Sequence, residues 1–160
     1  TEDFCLAAWS TGALDGLACP DLSENIEIGF INRYPFPVLE TGRTDNEPAL
    51  ITFPNKGDKG FIQGIFPARR IRNGDHFRAV IGCLEDSFEC KVTFQLNYRV
   101  DGGRIRNLDS WREKFDKKIQ KVDVDLSELA GKDVELILTV LNNGDSNDDW
   151  AFWLLPSIWR

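Results

Sequence analysis

The chain has 160 residues, 42% hydrophobic and 28% charged, which suits one folded domain with a sizeable core and excludes a disordered composition. A formal net charge of −7 and a pI near 4.7 argue against nucleic acid or an anionic membrane as partner, because phosphates are repelled. No apolar run approaches the ~20 residues of a membrane helix, so no membrane insertion is expected.

Period-two alternation and turn signals run along the chain, and long helical patterns are missing. Residues 1–25 are loosely patterned and are expected to form an N-terminal flap that wraps the fold rather than joining a sheet. Residues 26–33 alternate apolar and polar. Short strands are predicted at 48–53 and 60–66, around the turn Asn55-Lys56-Gly57-Asp58. Asn73-Gly74 turns the chain into a strand at 75–83. Residues 90–100 alternate cleanly, with Val92, Phe94, Leu96, Tyr98 and Val100 on one face, and Asp101-Gly102-Gly103 follows as a hairpin turn. Residues 118–126 alternate with a bulge near Lys121. One helical turn is predicted from Leu126 to Gly131, with Ser127 as its N-cap and Gly131 as its stop. Strands at 133–141 and 149–155 complete eight or nine. The pattern predicts an all-β, antiparallel β-sandwich of jelly-roll type, in a single domain over 1–160.

Four cysteines form two close couples, Cys5 with Cys19 and Cys83 with Cys90. Four cysteines allow three pairings, and pairing within each couple is expected. A loop of about 15 residues closed at Cys5–Cys19 contributes roughly 3 kcal/mol by restricting the unfolded chain and pins the flap. A zinc site is disfavoured, since no Cys-x-x-Cys spacing occurs and His76 is the only histidine. Disulfides point to an oxidising compartment, hence an extracellular or cell-surface location. The chain begins with Thr1 and has no Met, so a processed chain or an excised module is expected.

Three separated motifs occur in a familiar order. Asp123 to Val134 (DVDLSELAGKDV) resembles the V-D-L-S-x-L-A-G-x-x-V segment of galactose-binding-domain-like jelly rolls. Asn143-Gly144-Asp145, then Asp149-Trp150-Ala151-Phe152-Trp153, resembles their closing N-G…D-W-A-x-W segment. Asn73 to Ala79 (NGDHFRA) resembles the strand opening G-D-x-F-R-A of secreted bacterial members. The resemblance covers roughly residues 70–158. It implies a galactose-binding-like fold, in a group that includes carbohydrate-binding modules and many surface domains of other roles. The paired sugar-binding His/Arg or Arg/Asn set of better-known members is not evident here.

Trp150 and Trp153 stand three apart on a strand and so point to opposite faces. A strand-face site around Trp153 is one candidate for stacking on a sugar ring, with burial of both indoles as the alternative. Trp111, between Asp109-Ser110 and a charged stretch, is expected in a loop and is the first candidate for glycan contact. Tyr34 and Phe36, in Tyr34-Pro35-Phe36-Pro37, form a second loop cluster or a plug. Arg104 and Arg106, and the run Arg69-Arg70-Ile71-Arg72, suit an acidic sugar or a partner's carboxylate, or a charged strand edge. Asp145, Asn147 and Asp149 recur every second residue, as at the start of a calcium loop, but Trp150 and Pro156 break the calcium-hand pattern. The alternatives there are another type of calcium site, a polar hairpin, or Asp149 capping backbone N–H groups. Asp75, His76 and Glu85-Asp86 match no motif with a mechanism.

The sequence therefore predicts a non-catalytic extracellular module that binds a polysaccharide or other glycan. No cofactor is required, and a structural calcium ion is the one metal it admits. The rival reading is a structural or adhesive cell-surface domain that contacts neighbouring domains without a small ligand.

Overall fold

A computed structural model of the chain describes residues 3–144 and 147–160. Its strands are β1 (Ala8–Thr11), β2 (Phe30–Tyr34), β3 (Ala49–Phe53), β4 (Phe61–Ile65), β5 (Arg69–Arg70) and β6 (His76–Cys83). β7 (Lys91–Val100), β8 (Arg106–Lys114), β9 (Gln120–Asp125), β10 (Asp133–Asn142) and β11 (Ala151–Trp159) follow. They form two antiparallel sheets, one ordered β1-β4-β10-β7-β8 with β5 paired to β10, the other β2-β3-β11-β6-β9. The architecture is the predicted all-β sandwich.

Alternation decides which side chains meet between the sheets. Val92, Phe94 and Leu96 of β7 and Val134, Leu138 and Val140 of β10 face Phe77 and Ile81 of β6 and Trp153 of β11. Trp153 is 0% exposed, with the Phe77 and Phe94 rings edge-on at 6.0 and 5.0 Å. The second sheet is apolar on its outer face as well. There Phe30, Ala49, Ile51, Phe53, Phe152 and Leu154 pack with Leu39 and Leu84 into a separate cluster. The 35–48 segment roofs that cluster and is held by Glu40. This buried carboxylate accepts N–H bonds from Cys83 at 2.9 Å, Asp116 at 2.8 Å and Lys117 at 3.0 Å.

Several expectations are corrected. Among the described residues the strands number eleven. Residues 8–11 join the first sheet as β1, paired with β4, because Trp9 lies directly over Gly64, where the missing side chain leaves room for an indole. Residues 26–29 are turn, and the strand begins at Phe30. No bulge occurs at Lys121, where pairing with β6 is continuous; the irregularities lie at Leu96/Asn97 and Leu154/Ser157. The turn after β9 is a 3-10 turn over Ser127–Leu129, and Ser127 does not cap it. Its hydroxyl instead accepts the Gly74 N–H at 3.0 Å. Gly131, at φ +81, ends that turn as expected.

The cysteines pair as expected, Cys5–Cys19 and Cys83–Cys90, and no described cysteine is free. The second bridge closes the loop between β6 and β7, and that loop forms one wall of the site described next.

Candidate functional site

The β6–β7 loop, the 34–38 segment after β2 and the approach to β11 converge on one cleft. Its volume is about 340 Å3, and its lining is Tyr34, Phe36, Val38, Leu84, Glu85, Asp86, Ser87, Asp148 and Trp150. Backbone bonds zip the two longer walls together at their base. Glu85 N–H donates to the Val38 carbonyl at 3.0 Å, Glu40 N–H to the Cys83 carbonyl at 2.9 Å, and Leu39 bridges Leu84. Leu84 N–H donates to the Trp150 carbonyl at 3.0 Å, which ties in the third wall.

The aromatic lining is fixed from behind. Trp150 is half-buried, edge-on to Phe30 at 5.5 Å and to Phe53 at 5.1 Å. Tyr34 donates its hydroxyl to Glu24 at 2.6 Å; burial first, and then that carboxylate, push its phenol above the usual range, so it stays a neutral donor. Phe36 is 67% exposed and offers its ring to solvent. Glu85 and Asp86 are exposed, and Asp86 holds φ +58 within the disulfide-closed loop. Asp148 accepts the Glu89 N–H at 3.0 Å. Flat apolar surfaces beside carboxylate acceptors are what a sugar presents a match for, having one C–H face and a rim of hydroxyl donors.

Of the residues singled out in the sequence, Tyr34, Phe36, Trp150, Glu85 and Asp86 line this cleft, and Trp111, Trp153, Arg104 and Arg106 do not. Trp153 belongs to the main core and has no face to offer a ligand. Trp111 is not in a loop. It sits on β8 opposite Phe94, half-buried against the main core, because parity turns it inward. Arg104 and Arg106 are exposed at the hairpin end of β7, roughly 30 Å along that ten-residue strand from the cleft. Asp145 lies outside the described residues, Asn147 is exposed and Asp149 is fully buried. One Asp149 oxygen accepts the Lys91 N–H at 3.0 Å. Arg70 is taken up by Asp133, with a 3.0 Å ion pair.

The Trp150/Trp153 parity and the aromatic YPFP run were the sequence signals for Trp150 and Phe36, while one further feature had none. The Glu40, Glu113 and Asp116 carboxylates, among the described residues, all lie within 4.8 Å of one another. Burial, then Glu40, then Asp116 push the Glu113 carboxyl up to about 7. Glu113 and Asp116 lie three apart around the end of β8, but Glu40 comes from a remote segment, so spacing could not join the three.

A second cleft, of about 370 Å3, opens at the opposite end between Phe4, Leu50, Phe66, Phe77, Leu136 and Ile158. Its lining is mostly apolar, with Asp3, Arg69 and Ser157 as its charged and hydroxyl members, and it lacks the tryptophan and tyrosine of the first cleft.

No protein-family model matches the chain, and no curated protein matches it in sequence. Solved structures do match. CBM51 from Clostridium perfringens GH95, in complex with methyl-galactose, superposes at a TM-score of 0.54 with 16% identity, covering 78% of this chain and 79% of that one. TmCBM61, in complex with beta-1,4-galactotriose, gives a TM-score of 0.54 and 10% identity over 95% of this chain and 88% of that one. A carbohydrate-binding module from the β-sandwich superfamily gives 0.57 and 8% identity, over 99% of this chain and 60% of that one. At such identities the shared property is the architecture: the chain has the two-sheet β-sandwich fold of these modules.

Proposed function

We propose that the protein is a non-catalytic, exported carbohydrate-binding module whose ligand seat is the Tyr34–Phe36–Trp150 cleft. The observation that carries this reading is the composition of the cleft: three aromatic side chains and three carboxylates around about 340 Å3, on a rigid base. Three carbohydrate-binding modules of the same fold support it, two of them solved with galactose or galactotriose ligands. The two disulfides support export, since such bonds persist in oxidising compartments. Asp148 and Trp150 line the cleft, and a calcium ion held by the neighbouring Asn147 and Asp149, with Asp145 from the same sequence run as a further ligand, would stiffen that wall.

Affinity electrophoresis through gels containing neutral, acidic and amino-sugar polysaccharides, with calcium and with chelator, tests the proposal. Native protein is expected to be retarded by at least one polymer. Phe36→Ala should abolish the retardation while leaving the melting temperature unchanged, because that ring is exposed. Retardation lost with chelator would support the calcium part. Failure of every polymer to retard the protein, or full retardation of the Phe36 variant, would overturn the reading. Phe88 is 68% exposed and does not line the cleft, which favours a protein contact as the second reading. Sedimentation with its neighbouring domains would reveal such a contact.

A further inference from the structure

The cleft has a sign. Glu85, Asp86 and Asp148 line it, and no Lys, Arg or His does. The Glu85 and Asp86 carboxylates make no ion pair or hydrogen bond among the described residues, although the chain has 19 Lys and Arg. Some acids outside the cleft do find cations: Asp133 takes Arg70, Asp123 takes Arg78, and Glu135 takes Arg99. The cleft acids are also held in place. The Cys83–Cys90 bridge closes their loop, and Asp86 occupies the left-handed region at φ +58. The adjacent Glu85 and Asp86 carboxylates repel each other, and a bound cation removes that repulsion.

We infer that the glycan bound in this cleft carries protonated amines, as an amino-sugar polymer stripped of its N-acetyl groups does. The inference rests on the carbohydrate-binding reading above and narrows it. The apolar face of such a sugar would stack on Phe36 and Trp150. Its ammonium would meet Glu85 or Asp86 in a charge-assisted hydrogen bond, stronger than the neutral bond an amide offers. The π-faces of Phe36, Tyr34 and Trp150 also attract a cation held above them. Uronates and sulfated sugars would bring anions against three carboxylates on a chain of net charge −7.

The test is titration calorimetry at mildly acidic pH with four probes: glucosamine oligomers, N-acetylglucosamine oligomers of equal length, β-1,4-galactan oligomers and a lysine tetramer. The glucosamine oligomer is expected to bind at least about tenfold tighter than the others, with an affinity that falls as salt rises. The double variant Glu85→Gln, Asp86→Asn should lose that preference without a change in melting temperature, and Phe36→Ala should lose binding altogether. If an N-acetylated or galactan oligomer binds as tightly and independently of salt, the amine inference fails while the glycan reading stands. Equal binding of the lysine tetramer would reduce the site to plain charge attraction and also overturn the inference. If no sugar binds at all, both readings fall.

Discussion

Glu113 shows how one side chain can set the pH response of a sandwich edge. It stands opposite Val92 on the inward face of β8, beside Glu40 and Asp116. Burial and those two neighbours hold its carboxyl at about 7 in the folded chain, against an ordinary value of about 4.3 in the unfolded one. Between those values the native state keeps a proton that the unfolded state has released. Stability from this group is therefore fully present below about pH 4.3 and is lost as pH rises through 7. Glu113→Gln retains the shape of the protonated form and removes the titration. The variant should melt with the native protein at pH 4 and above it at pH 8. The gain should be on the order of 1 kcal/mol, discounted for the half-exposed setting, or roughly 2–4 °C. Equal melting temperatures at pH 8 would mean that the cluster is neutralised by solvent. Nothing in the sequence pointed to this residue, because a Glu in a polar run carries no mark of the face it will occupy.

At the scale of elements, the strands that were legible are those with one apolar face. β7 and β10 alternate because one face meets the core, and the hairpin between β7 and β8 was legible from Asp101 and Gly102, both at positive φ. β8 was hidden because Arg106–Lys114 is an edge strand with only Leu108 and Trp111 as apolar members. Reading it as a loop promoted Trp111 to a ligand contact when parity makes it core-facing. β1 was hidden by its length of four residues, and its docking depends on a glycine in another strand. A Cβ on Gly64 would come within 2.6 Å of the Trp9 ring. Gly64→Ala should therefore lift β1 off β4 and cost about 1–3 kcal/mol, as overpacking does. The check is hydrogen exchange: the Ser10 amide, which faces β4, should lose protection while β7 amides keep theirs. Unchanged protection at Ser10 would show that the indole slides aside at little cost.

The whole molecule is more than two sheets around one core. The second sheet is apolar on both faces, so the 35–48 roof over its outer face both completes a cluster through Leu39 and lines the cleft through Phe36 and Val38. The Trp150/Trp153 pair foreshadowed this arrangement, since two tryptophans of opposite parity on one strand require two apolar layers. Which layer would carry the cleft was not legible, because the roof is irregular chain held by isolated backbone bonds to residues 83–85 and by the buried carboxylate of Glu40. A sheet shared by two clusters should couple them. Trp153 reports on the main core and Trp150 on the second cluster, so tryptophan fluorescence and far-ultraviolet dichroism should trace one coincident thermal transition. Leu39 is fully buried in the roof, and Leu39→Ala should cost about 2–5 kcal/mol. If the clusters are coupled, that variant keeps a single transition at lower temperature. Separate fluorescence and dichroism transitions in the variant would mean that the roof opens on its own. Ligand would then stabilise the roof transition alone, and the site would form only as the roof closes.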